Sequence, residues 1–112
     1  MKDKFTTKAF SEGYLARSIY KLKDIQKRYR IIKQDDRILD LGAAPGSWSQ
    51  FAKEIGANVT AVDVEQINVE QIKKIRLNIF DKNLFKKLDK EYDLIGNTST
   101  QSTEVNLYKG SD

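Results

Sequence analysis

A stretch of small residues, Gly42-Ala43-Ala44-Pro45-Gly46-Ser47, separates a short apolar run from an amphipathic one. Before it, Arg37-Ile38-Leu39-Asp40-Leu41 reads as a short buried strand. After it, Trp48, Phe51, Ala52 and Ile55 fall at i, i+3, i+4 and i+7, and Gly56 supplies a helix stop. A strand, a glycine-bearing bend and a helix in this order constrain the chain to an α/β layout. In open α/β sheets the space above such a bend, beyond the carboxyl end of the strand, is where ligands sit.

The rest of the chain extends that pattern. From Ser18, a plausible N-cap, the positions Ile19, Leu22, Ile25 and Tyr29 recur at helical spacing, with Lys21, Lys23, Lys27, Arg28 and Arg30 on the other side. Val59 to Val64 reads as a second strand and Lys74 to Ile79 as a third. Asn83 to Lys90 reads as a helix with Leu84, Phe85 and Leu88 inward, and Tyr92 to Ile95 as a fourth strand. Alternating strands and helices predict a mostly parallel sheet. Three segments follow: a basic arm (1–17), an α/β unit (18–96) and a polar tail (97–112) without apolar period, expected to be disordered or foreign to the fold. Val-Glu-Gln-Ile occurs at 64–67 and again at 69–72, too short and too few for a repeat architecture.

Composition narrows the chemistry. With 39% apolar residues, the 112-residue chain can build one modest core. Cys and His are absent, which excludes disulfides, thiolate nucleophiles, histidine bases and most zinc sites, so no metal centre is expected. No apolar run nears the ~20 residues of a membrane span, and Met1-Lys2-Asp3-Lys4-Phe5 does not resemble a secretory signal. A soluble cytoplasmic protein with no membrane partner is the expectation. Residues 1–33 hold ten Lys and Arg against three acids, whereas 34–112 hold ten against thirteen. Basic charge gathered in the first third suggests contact with a polyanion, although a solvated helix face would look the same.

The bend lacks both the G-x-G-x-x-G of a dinucleotide site and the Gly-Lys-Ser/Thr of a phosphate loop. An adenosine cofactor without a pyrophosphate fits better. Gly42 and Gly46 would let a ligand approach the backbone, and Asp63, about 20 residues on, stands where an acid takes ribose hydroxyls. The plainer alternative is a strand-to-helix turn whose glycines serve only geometry.

Asp-Leu-Gly-Ala-Ala-Pro-Gly-Ser-Trp-Ser-Gln (40–50) closely resembles the cofactor loop of the FtsJ/RrmJ family of ribosomal RNA 2′-O-methyltransferases. Ala-Arg-Ser-Ile-Tyr-Lys-Leu-Lys-Asp-Ile (16–25) is similar to that family's Arg-Ser…Lys-Leu helix. The resemblance runs over about residues 10–95. It implies a Rossmann-like fold, S-adenosylmethionine as cofactor, and ribosomal RNA or a ribosomal subunit as partner. On the same ground Gly42, Ala43, Pro45, Gly46, Ser47, Trp48, Asp63, Asn78 and Asn97 bind the cofactor: Gly42, Gly46 and Trp48 contact its methionine part, Asp63 takes the ribose, and Asn78 lies where the family places an Asp beside the adenine. Lys21 matches the first of two catalytic lysines. Asn97 occupies the place of the family's catalytic Asp after the fourth strand, and an amide cannot supply that charge.

The resemblance also implies further strands, so the chain reads as the N-terminal half of that fold. A four-stranded half sheet would leave one edge strand uncovered, which favours self-association. A non-catalytic cofactor- or RNA-binding fragment is the second reading. A Rossmann-like methyltransferase acting on a small molecule or a protein is the third, disfavoured by the basic helix.

Overall fold

The computed structural model describes residues 4–15, 19–88, 91–97 and 106–109, the last four by their backbone. Five strands form one sheet in the order β3-β2-β1-β4-β5. β1 (Arg37–Leu41) lies at its centre, parallel to β2 (Asn58–Asp63) on one side and to β4 (Leu94–Asn97) on the other. β3 (Lys73–Arg76) adds parallel to β2, and β5 (Asn106–Lys109) adds antiparallel to β4. The helices are α1 (Lys4–Ser11), α2 (Ile19–Tyr29), α3 (Ser47–Ile55) and the single turn α4 (Leu84–Lys87).

Side chains alternate across the sheet because successive Cβ atoms point to opposite faces. Ile38, Val59 and Leu94 meet Leu22 of α2 and Trp48 and Ala52 of α3 in one buried cluster. Leu39 and Val62 face the other way and pack with Leu84 of α4. β2 is accordingly buried along nearly its whole length, as a strand covered on both faces should be. α3 ends as its sequence dictates: Gly56 adopts φ +107, and its amide and that of Ala57 close onto the carbonyls of Lys53 and Ala52.

Several expectations need correction. The segment read as a basic arm carries α1, which buries Ala9 completely and whose helical signal is weak in a short polar segment. The tail contributes β5, whose backbone completes the hydrogen bonding of β4, and a four-residue strand shows too little alternation to be read from sequence. β3 and β5 are the outer strands of the sheet. The expected limits hold for β1 and shift by one to three residues in β2, β3 and β4, and α4 is four residues rather than eight. Phe85, expected inward, is 83% exposed, and Tyr29 points outward too. A single turn has only one inward position, and Leu84 takes it. Ser18, the expected cap, lies outside the described residues. No helix among the described residues is long and apolar enough to cross a membrane.

Candidate cofactor site

Because β1 to β4 are parallel, their C-terminal ends share one rim, and the register aligns Leu41 with both Val62 and Asn97. The bend from 42 to 46 crosses that rim at the centre of the sheet. Gly42 (φ +71) and Ala43 donate their amides to the carbonyl of Val62, at 2.8 and 3.1 Å. The Ala44 amide donates to Oδ2 of Asp63 at 3.0 Å, and the Glu65 amide to its Oδ1 at 3.0 Å. Asp63 is thus a half-buried carboxylate pinned between two loops, with one lone pair engaged on each oxygen and acceptor capacity left over. The Ala44–Pro45 peptide is cis, and the Pro45 carbonyl accepts from the Asn68 amide at 2.9 Å.

Gly46 has a role the sequence did not reveal. Its φ of +123 disfavours any side chain, and a Cβ there would stand 2.6 Å from Cγ2 of Val69 and 3.3 Å from Cγ2 of Ile67. The side of this glycine that a Cβ would occupy is filled by the chain's own residues. Ile67 and Val69 are buried with Ala43, Ala44 and Ala61, and half-buried Leu15 and Ile72 pack against them. The duplicated Val-Glu-Gln-Ile supplies this wedge, and its apolar residues were the signal available in the sequence. Trp48 is likewise a core residue, 6% exposed, beneath the bend rather than in it. Ser47 is buried at the start of α3.

Asp40 lies under the bend, 4% exposed, and accepts a 2.7 Å hydrogen bond from the buried Ser49 hydroxyl. Both border a cavity of about 20 Å³ shared with Leu22, Trp48 and Gly96, room for about one water. Leu22 of α2 borders that cavity, and its neighbour Lys21 is exposed. Asn97 is half-buried at the end of β4. Asn78 is exposed in the loop after β3, with its Oδ1 accepting the Phe80 amide at 2.9 Å, which leaves the amide nitrogen as its outward donor. The structure therefore gathers the bend, Asp63 and Asn97 at the rim, with Asn78 beyond β3. Among the described residues no group of three or more carboxylates could cage a metal ion.

The N-terminal elements are clasped to α3 from the side. Lys23 lies 4.3 Å from the centroid of the Tyr14 ring, the Tyr14 hydroxyl donates to Glu54 at 3.2 Å, and the Gln50 amide donates to the Gly13 carbonyl at 2.9 Å. The Tyr20 hydroxyl donates to Glu12 at 3.0 Å. Partial desolvation, then the Glu12 carboxylate, raise the Tyr20 phenol above its ordinary pKa.

Comparison with known proteins agrees with this geometry. The family model for FtsJ-like methyltransferase matches residues 14–104. A "Ribosomal RNA large subunit methyltransferase E" of Wolbachia pipientis is 37% identical over 99 residues, covering 85% of this chain and 52% of the relative. The protein of that name from Syntrophobacter fumaroxidans is 54% identical over 71 residues, covering 62% and 36%. A crystal structure described as a ribosomal RNA methyltransferase from Plasmodium falciparum superposes with a TM-score of 0.64 at 27% identity, covering 76% of this chain and 56% of that one. The chain thus spans about half, or less, of the length of these relatives. With the model matched over most of its length and the bend at the centre of a parallel sheet, this chain belongs to the FtsJ-like methyltransferase family.

Proposed function

We propose that the chain forms the cofactor-binding half of an S-adenosylmethionine-dependent enzyme that methylates a ribose 2′-hydroxyl of ribosomal RNA, working in the cytoplasm. The observation that carries this reading is the place of the bend. It stands at the C-terminal end of β1, where the strand order turns from β2 on one side to β4 on the other, which is where α/β sheets open a ligand crevice. The spare acceptor capacity of Asp63 suits ribose hydroxyls, and the outward amide of Asn78 suits a ring nitrogen of adenine. The bound cofactor would supply an activated methyl group.

The chain's residues would do the positioning. Ala43, Ala44 and Pro45 would shape the floor of the crevice, Gly42 turns the backbone, and the Ile67–Val69 wedge holds Gly46 and the start of α3 in place. Lys21, on the RNA-facing helix, would set a positive charge near the hydroxyl and favour its developing negative charge. The basic face of α2 would meet RNA phosphates, a contact that salt weakens.

A second reading, a binding module without turnover, is favoured by one observation: the end of β4 carries neutral Asn97 where the family has a carboxylate. Calorimetry with S-adenosylmethionine, paired with methyl transfer to undermethylated ribosomal RNA, separates the two. The first reading expects both uptake and transfer. Uptake without transfer leaves the second, and no uptake refutes the first and leaves of the second only an RNA-binding fragment.

A further inference from the structure

Residues 34–112 hold more acids than bases, yet the segment from 81 to 87 runs the other way. Between 81 and 87 the exposed lysines Lys82, Lys86 and Lys87 stand against a single acid, Asp81. Phe80 and Phe85 in the same stretch are 88% and 83% exposed, the most exposed of the large apolar side chains among the described residues. Their backbone is well held. Carbonyls of Asn78, Asp81 and Asn83 accept the amides of Asp81, Leu84 and Lys86 at 2.9, 3.0 and 3.1 Å, and the Asp81 side chain accepts the Asn83 amide at 2.7 Å. Leu84, buried under the sheet, anchors the turn. Two rings held in water by an ordered turn mark a docking face.

Charge decides what docks there. Several bases of the first third are already engaged within the chain: Lys8 and Lys23 lie 3.8 and 3.9 Å from Glu12, and Arg28 lies 3.3 Å from Asp24. Lys82, Lys86 and Lys87 make no ion pair among the described residues. Lysine is depleted from the centres of protein interfaces, whereas flat rings among lysines suit a polyanion with stacking faces. We infer that residues 80–87 form a second contact surface for RNA, with unpaired bases stacking on Phe80 and Phe85 and phosphates meeting the three lysines. The inference rests on the RNA-methylation reading above and extends it. β3 ends on the same rim as the bend and lies two strand spacings, about 10 Å, from β1, so a strand whose ribose is seated over β1 reaches Phe80 within a few nucleotides.

The test uses the full chain and a short labelled oligoadenylate, with the same sequence as a duplex for comparison. The Phe80→Leu/Phe85→Leu pair keeps apolar area but loses stacking, and should weaken single-strand binding about tenfold or more. The Phe80→Trp/Phe85→Trp pair should keep it, and Lys82→Ala/Lys86→Ala/Lys87→Ala should flatten the salt dependence. Thermal melting and S-adenosylmethionine uptake should stay at wild-type values in all three. Wild-type RNA affinity in the leucine pair overturns the inference. So does a switch in sedimentation from dimer to monomer with RNA binding intact, which would assign the face to a second copy. Ring-dependent RNA binding by a chain that takes up no S-adenosylmethionine would refute the methylation reading while leaving this one standing.

Discussion

Replacing Gly46 by alanine tests whether this glycine serves the fold or only a ligand. At φ +123 a side chain is confined to a sparsely populated region, at a cost of about 1–3 kcal/mol. The added methyl would also stand 2.6 Å from Val69 Cγ2, and overpacking of that kind costs another ~1–3 kcal/mol. Together they remove about 2–6 kcal/mol from a domain whose whole stability is of order 5–15 kcal/mol. The two contributions separate in a double-mutant cycle with Val69→Ala, which alone should cost about 1–2 kcal/mol for two buried methyl groups. In that background Gly46→Ala should lose only the backbone share, so the cycle should return a favourable coupling of ~1–3 kcal/mol. Urea denaturation followed by circular dichroism supplies all four free energies. A coupling near zero would show that Val69 does not fill the space beside Gly46, and the wedge would have to be abandoned.

Asp63→Ala should weaken S-adenosylmethionine binding by about 1–3 kcal/mol while leaving two loop amides without their acceptor, measured by calorimetry; an unchanged dissociation constant would remove Asp63 from the site. Ser49→Ala should cost ~1–3 kcal/mol in chemical denaturation, because it withdraws a donor from the buried Asp40 carboxylate, and a neutral result would contradict that role. Lys23→Met should loosen the N-terminal clasp by about 0.5–1 kcal/mol, seen as faster proteolysis before residue 16 with α3 unaffected. The raised pKa of Tyr20 means that its protonated form is favoured by folding. Its contribution is complete below the ordinary tyrosine value near 10 and is lost as pH rises through the higher folded value, so Tyr20→Phe should flatten the alkaline fall in stability.

Much of this architecture is legible in the residues because local and tertiary signals agree. The apolar run at 37–41 and the i, i+3, i+4, i+7 set from Trp48 define β1 and α3, and Gly56 ends α3 where a left-handed residue is required. The site is legible in part: the bend and Asp63 do meet, through the Ala44 amide. The misses have physical causes. The neighbour of Gly46 was not readable because sequence shows a missing Cβ but not which distant side chain, here Val69, stands beside it. β5 owes its existence to unsatisfied backbone groups on β4, a demand no local pattern encodes. α1 depends on contacts made by its flanking residues, Glu12 and Tyr14, with α2 and α3 rather than on its own propensity.

The account stands on the crevice above β1 accepting a sulfonium nucleoside. Backbone amide chemical shifts of the wild-type chain, titrated with S-adenosylhomocysteine, address it most directly. Saturable shifts confined to residues 42–46, 63–65 and 78 are predicted. Shifts elsewhere, or none at concentrations well above those of cofactors in cells, would contradict it.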